Sequence, residues 1–235
     1  MYALIYLRAY TGSGFISGYD SAKRAYAAYP VRIPDSTINS GLYGRLGSFE
    51  NAAACSRKAL KLHPGFAEAH DNLGVALLEL GKPEEAVLCH KRALRLKPGI
   101  CQTHYHLGNA YREDGDLASA EKCFRDAIKA NNNMAEAHNN LGNTLLQQDK
   151  PDKAEQSFLK AASINPALKG AYENLGLVQK QQGKLSEAIS SLKKGLQYDP
   201  DNSNMHLYLG LIYQELGSLD DAALHLEKAI ELQAY

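Results

Sequence analysis

The fold of this chain is decided by residues 67–99, AEAHDNLGVALLELGKPEEAVLCHKRALRLKPG, which form one copy of a pattern that returns every 34 residues. The dipeptide Leu-Gly marks the copies most clearly. It occurs at Leu73-Gly74, Leu107-Gly108, Leu141-Gly142, Leu175-Gly176 and Leu209-Gly210. Alanine keeps the same spacing at positions 52, 86, 120, 154, 188 and 222. A fixed period of this length is typical of a solenoid of stacked repeats.

Each copy is predicted to form two helices. Apolar residues recur at helical spacing over residues 67–80, and Gly81 is suited to end that helix. Pro83 favours the first turn of the following helix, where a missing backbone N–H costs nothing, and Pro98 favours its end. A residue as small as Gly74 would let the two helices approach closely.

These units resemble the tetratricopeptide repeat (TPR), a helix–turn–helix unit of 34 residues with Leu-Gly, alanine and proline at fixed places. The resemblance implies an all-α, right-handed α-solenoid that forms a single domain. Five units match the pattern well, one is divergent, and an N-terminal unit is degenerate. The predicted units are 1–32 (degenerate), 33–66 (divergent), 67–100, 101–134, 135–168, 169–202 and 203–235.

The resemblance also implies where function lies, because TPR proteins bind peptides or partner segments in a concave groove lined by the first helix of each unit. Amide side chains are frequent among the residues expected there, and amides both donate and accept hydrogen bonds. They could bind the backbone of an extended peptide without demanding its sequence. The candidate partner-binding residues are Asp71, Asn72, Tyr105, Asn109, Arg112, Asn139, Asn140, Asn143, Glu173, Asn174 and Lys180.

Individual units are similar to those in the TPR array of O-linked N-acetylglucosamine transferase. Asn72, Asn140 and Asn174 hold the place of the asparagine ladder of that array, which His106 and Tyr208 interrupt here. Local hydrogen bonding is a second interpretation of the same asparagines. The residues leave both interpretations open.

The main functional hypothesis is a non-enzymatic scaffold that binds a partner polypeptide. One alternative is the substrate-recognition region of a larger enzyme, such as a glycosyltransferase. Another is self-assembly through uncapped ends, with Leu226, Ala229, Ile230 and Leu232 expected to be uncovered. Residues 1–100 carry 13 Lys and Arg against 8 Asp and Glu, and the remainder carries 13 against 18. Opposite charges of this kind would favour head-to-tail association.

Catalysis, cofactors, nucleic acid and membranes find no support in the sequence. The chain has no G-x-S-x-G, no P-loop and no G-x-G-x-x-G before a helix, so we expect no catalytic residue and no cofactor. Its 26 basic residues balance 26 acidic ones, which gives no general attraction to nucleic acid. Apolar runs fall far short of the roughly 18 residues of a membrane helix, so we expect no membrane insertion.

The histidines are interpreted as structural. Four of them share one repeat position: His70, His104, His138 and His206. Such residues should lie about 10 Å apart, which is too far to share a zinc ion. His63, His90 and His225 have no carboxylate or nucleophile that the repeat register is expected to bring near. We therefore predict no metal site.

The cysteines are expected to be unpaired. Cys55, Cys89 and Cys123 share one repeat position and Cys101 stands elsewhere, which gives no paired or metal-binding spacing. Free thiols suit a reducing compartment, and the chain has no sequence typical of a signal peptide. The sequence therefore predicts a cytoplasmic protein.

Overall fold

The computed structural model describes residues 41, 43–44, 46–168 and 170–233, so the predicted unit 1–32 lies outside the described residues. This part of the chain contains eleven α-helices with assigned bounds and no strand. The helices are α1 (Phe49–Leu62), α2 (Ala67–Glu79), α3 (Pro83–Leu96), α4 (Cys101–Glu113), α5 (Leu117–Ala130), α6 (Ala135–Gln147), α7 (Pro151–Ile164), α8 (Ala171–Gln181), α9 (Leu185–Leu196), α10 (Ser203–Glu215) and α11 (Leu219–Gln233).

The helices stack in the order in which the chain makes them. Within a unit the first helix packs on the second, and the second packs on the first helix of the next unit. First helices of neighbouring units also touch directly, as α2 touches α4 and α4 touches α6. Packing between successive neighbours without a central layer makes an all-α solenoid, which confirms the predicted fold class.

The contact inside each unit depends on the glycine of the Leu-Gly dipeptide. A Cβ atom built on Gly142 would lie 2.5 Å from Cε1 of Phe158, which is closer than carbon atoms can pack. The unit before has the same relation between Gly108 and Phe124, at 2.7 Å. Both phenylalanine rings are completely buried. The repeated glycine is therefore required because a large side chain of the second helix occupies the space of a side chain at that position.

The turns between the two helices of a unit need a left-handed residue. Gly81, Gly115, Gly183 and Gly217 have φ between 71° and 84°. Asp149 takes the equivalent place in the turn between α6 and α7, with φ of 58°. Asparagine and aspartate tolerate this region better than other side chains, so one repeat can lose its glycine and keep its turn.

The face of the last helix differs from the expectation. Of the four apolar residues expected to be uncovered, Ala229 is buried, and Leu226 lies against the backbone of Gly210. Ile230 is 69% exposed, as expected. The correction arises because the second helix of a unit buries one side against its own first helix. None of the described helices combines the length and hydrophobicity that a membrane span requires.

Candidate functional site

The eleven predicted binding residues lie on α2, α4, α6 and α8, which are the first helices of four consecutive units. We call the surface that they form the first-helix face. All eleven are half-buried, so each is partly accessible and partly packed against its neighbours. The face combines amides, carboxylates, cations and one tyrosine. These side chains are therefore partly accessible and able to form hydrogen bonds.

Hydrogen bonds join neighbouring units across this face at a regular offset of 35 residues. The amide of Asn140 donates to the hydroxyl of Tyr105 at 3.2 Å, and the amide of Asn174 donates to the side-chain oxygen of Asn139 at 3.2 Å. A third pair, between Asp71 and His106, has the same offset. We call these three pairs the inter-unit ladder. Part of the asparagine set is thus used for local bonding between units.

Other residues of the first-helix face are also partly engaged. Asn140 donates a further bond of 2.8 Å to Asn109. Glu173 accepts hydrogen bonds from two asparagines at the start of α10, at 2.9 and 3.3 Å. Lys180 lies 3.7 Å from Glu215. Asn143 differs, since its side chain has no hydrogen bond within the described part of the chain. Its amide is therefore available to a ligand.

The histidines at the shared repeat position bond to the preceding turn. Nε2 of His70 lies 3.0 Å from the carbonyl oxygen of Pro64, and Nε2 of His206 lies 3.2 Å from that of Pro200. His138 makes the same contact with Asn132 at 3.2 Å. A carbonyl can only accept, so in each case the imidazole donates Nε2–H. These bonds support a structural role for this position.

His90 contradicts the sequence-based expectation that it has no carboxylate nearby. Its Nδ1 lies 2.8 Å from Oδ1 of Asp71, and Nδ1 of His106 lies 3.1 Å from Oδ2 of the same carboxylate. An ionised carboxylate only accepts hydrogen bonds, so both imidazoles donate Nδ1–H to it. We call these residues the Asp71–His90–His106 cluster. It joins α2, α3 and α4, and therefore two consecutive units.

Burial and hydrogen bonding determine the charge of the cluster. Burial raises the pKa of Asp71, but the hydrogen bonds from His106 and His90 outweigh this effect and hold the pKa well below its usual range. Burial lowers the pKa of His90 and is opposed by its bond to Asp71. The carboxylate is therefore ionised at neutral pH and His90 is a neutral imidazole.

Three departures from the repeat pattern could have revealed this cluster. The position of His90 is occupied by phenylalanine or leucine in the following units, at 124, 158, 192 and 226. The position of His106 holds asparagine at 72, 140 and 174, and Asp71 has no other aspartate in its column. The exceptions are adjacent in space because the 35-residue offset, rather than the 34-residue period, links neighbouring first helices.

A second histidine pair lies in the last unit. Nδ1 of His206 and Nδ1 of His225 are 2.9 Å apart. Burial, then His206 and Lys193, lowers the pKa of His225, so this imidazole favours its neutral form. No carboxylate joins the pair at hydrogen-bond distance within the described residues. The pair therefore resembles the two histidines of the Asp71–His90–His106 cluster but lacks a carboxylate.

All four cysteines are unpaired thiols. Burial, followed by the charge of Asp126, raises the pKa of Cys123 to about 11. We expect alkylation of Cys123 by iodoacetamide to rise about tenfold per pH unit between about pH 7 and about pH 10, because only the thiolate reacts. Peptide mass spectrometry of the native protein measures this rate. A plateau below about pH 9 would show that the thiol is not shielded as described.

Comparison with solved structures places the fold among TPR proteins. The pilF protein of Pseudomonas aeruginosa is similar with a TM-score of 0.73 and 21% identity, over 85% of this chain and 95% of that one. YrrB, described as a TPR protein with an unusual peptide-binding site, has a TM-score of 0.64 and 24% identity, covering 78% and 94%. MamA of Desulfovibrio magneticus RS-1, from its residue 41 onward, has a TM-score of 0.65 and 27% identity, covering 72% and 95%.

Comparison of the sequence with protein families gives one match, and comparison with individual curated proteins gives none. The family model described as the C-terminal domain of cilia and flagella-associated protein 70 matches residues 45–235. No curated protein matches the chain. The family match begins before α1 and includes every helix described above.

Proposed function

We propose that this protein binds a polypeptide, and the proposal starts from its family. The chain belongs to the family of the cilia and flagella-associated protein 70 C-terminal domain, a TPR family. The protein is a non-enzymatic scaffold that binds a partner polypeptide along the first-helix face. The family description leads us to expect that partner among the proteins of cilia and flagella. YrrB, with the same fold, is described as having a peptide-binding site.

One observation carries this proposal: the eleven polar and aromatic residues of the first-helix face are all half-buried on consecutive units. A flat, fully exposed polar surface would be hydrated and would gain little by binding. Half-buried polar side chains are already partly shielded from water, so a ligand that covers them displaces less of it. An extended peptide presents donors and acceptors at regular intervals, which suits amides repeated along the solenoid.

The inter-unit ladder guides the choice of residue for the test. Replacing Asn139 or Asn140 would remove bonds that join units, and any loss of binding would then have two explanations. Asn143 has no hydrogen bond to another described residue, so its replacement removes no bond between these units. Lys193 and Lys194 are exposed on the second helix α9 and provide a control on the other side of the unit.

Asn143→Ala is expected to weaken peptide binding by about 1–3 kcal/mol, because a peptide group buried against it loses its partner. The ligand is a peptide selected on the wild-type chain from a displayed library of random extended sequences. Isothermal titration calorimetry compares its affinity for wild type, Asn143→Ala and the double variant Lys193→Ala, Lys194→Ala. A peptide that needs the lysine pair and tolerates Asn143→Ala would reverse the choice of face.

A further inference from the structure

The Asp71–His90–His106 cluster has a composition that the repeat fold does not need. The next three units fill the place of His90 with an apolar side chain, Phe124, Phe158 or Leu192, and bury it completely. His90 is also 0% exposed, but its Nε2 has no hydrogen-bond partner among the residues that the structure describes and lies against Gly74. An imidazole in a core position thus leaves a polar atom unpaired where phenylalanine would leave none. A local rule broken in this way is expected at functional sites.

The geometry of the cluster is close to that of a metal centre. One ligand atom from each of the three residues lies within 4.8 Å of the others. The two imidazole nitrogens lie 2.8 and 3.1 Å from the carboxylate oxygens. In a tetrahedral zinc site with bonds of about 2.0–2.1 Å, neighbouring ligand atoms are about 3.3–3.4 Å apart. The two N–O distances are therefore a few tenths of an ångström shorter than in such a site, so binding requires the side chains to move apart by about that much.

We propose that Asp71, His90 and His106 bind a divalent transition-metal ion of the zinc class through the carboxylate and the two Nδ1 atoms. Two imidazoles with one carboxylate are a donor set that suits zinc and its first-row neighbours better than magnesium or calcium. Asp71 and His106 are partly accessible, so the ion can enter from the first-helix face. The inference is independent of the proposed peptide binding.

Binding moves hydrogens without changing the charge of the imidazoles. The ion replaces the hydrogen on each Nδ1, and each neutral ring then carries its hydrogen on Nε2. For His106 the nearby side chain is Gln102, whose amide nitrogen lies 3.0 Å from Nε2. Rotation of this exposed amide presents its oxygen as the acceptor. For His90 the Nε2 atom stays against Gly74, as it does without the ion.

The packing of three helices holds the proposed ligands close together in the absence of an ion. Asp71, His90 and His106 come from α2, α3 and α4, which pack on one another in sequence. The ion would therefore join the two helices of one unit to the first helix of the next. An ion bound only to the folded chain stabilises it. Zinc should raise the melting temperature of the protein and strengthen this junction.

The test is zinc titration of the whole chain after treatment with a chelator, followed by calorimetry. We expect one zinc ion per chain. His90→Phe and His106→Asn install the residues of the neighbouring repeats, so both variants should fold. Each variant should bind zinc more than about 100-fold more weakly than wild type. Loss of a residue that only hydrogen-bonds to a metal ligand typically weakens binding by about 10–100-fold, so the larger effect identifies a ligand. Zinc should also raise the melting temperature of wild type and of neither variant.

Two controls identify the ligands. His225→Ser breaks the other histidine pair and installs the residue found at 157 and 191, and it should keep the zinc. Cys89→Ser, next to His90 in sequence, should also keep it. With cobalt as a probe, wild type should show no thiolate-to-metal charge-transfer band. The proposal is overturned by a wild type that does not bind zinc, by binding that survives both His90→Phe and His106→Asn, or by binding lost in a control.

Discussion

Phe158→Ala is expected to lower the free energy of unfolding by about 3–5 kcal/mol. Phe158 is 0% exposed, and its ring lies directly over Gly142 of the facing helix. Removing the ring leaves a cavity between α6 and α7. Closing it would require α6 and α7 to move together, but each is also held by the adjoining unit. Denaturant unfolding followed by circular dichroism measures the change.

The neighbouring residue provides the control for this substitution. Leu159 is 48% exposed and points away from the same contact. Leu159→Ala is expected to change the free energy of unfolding by less than about 1 kcal/mol, because little buried surface is lost. Comparable losses in Phe158→Ala and Leu159→Ala would contradict the assignment of Phe158 to the core of its unit.

Gly142→Leu is expected to destabilise the protein by about 1–3 kcal/mol or more. The new side chain would begin within the volume of the Phe158 ring, since even its Cβ would lie 2.5 Å from the ring carbon Cε1. The helices α6 and α7 would have to separate, and α6 also packs against α5 of the preceding unit. Thermal melting followed by circular dichroism tests this expectation.

Gly65→Leu is the matched control for the glycine substitution. Apart from its two chain neighbours, no atom of the described residues lies within 4 Å of a Cβ atom built at Gly65, and its φ is outside the left-handed region. Both substitutions reduce the freedom of the unfolded chain in the same way. Leucine also favours a helix more than glycine does, which helps only the variant at Gly142, so a lower melting temperature of that variant reports the contact with Phe158. A melting temperature of Gly142→Leu equal to that of Gly65→Leu would mean that the two helices do not meet at this point.

The repeat pattern was sufficient to predict the helices and the contact within each unit. The columns of glycine, alanine and proline recur with the same period as the structure, so Gly142 could be assigned to a close helix contact from the sequence. The turn at Asp149 could be placed for the same reason, although the residue there is not glycine. A repeat pattern reveals the features that equivalent positions have in common, and both the helix contact and the turn recur in each unit.

The same columns mark Asp71, His90 and His106 as exceptions to the repeat pattern, but they do not show that the three side chains meet. Comparison at 34 residues places each residue beside its equivalents, whereas His106 bonds to a residue 35 positions earlier. The inter-unit ladder depends on how far the first helices of two neighbouring units are shifted along each other. The 34-residue repeat in the sequence gives no information about that shift. The bond between His90 and Asp71 joins the two helices of one unit, and a comparison of equivalent positions in different units does not detect such a contact.

Sequential packing also determines how this chain is expected to respond to a pulling force, because its junctions would extend like springs in series. Each helix packs mainly against its neighbours along the chain, so tension applied between the two ends passes through every junction in turn. A slight change of angle at each junction adds to the next, and the end-to-end distance changes by much more than any one helix moves. A scaffold built in this way would stretch and recoil under load while the interior of every unit stays intact.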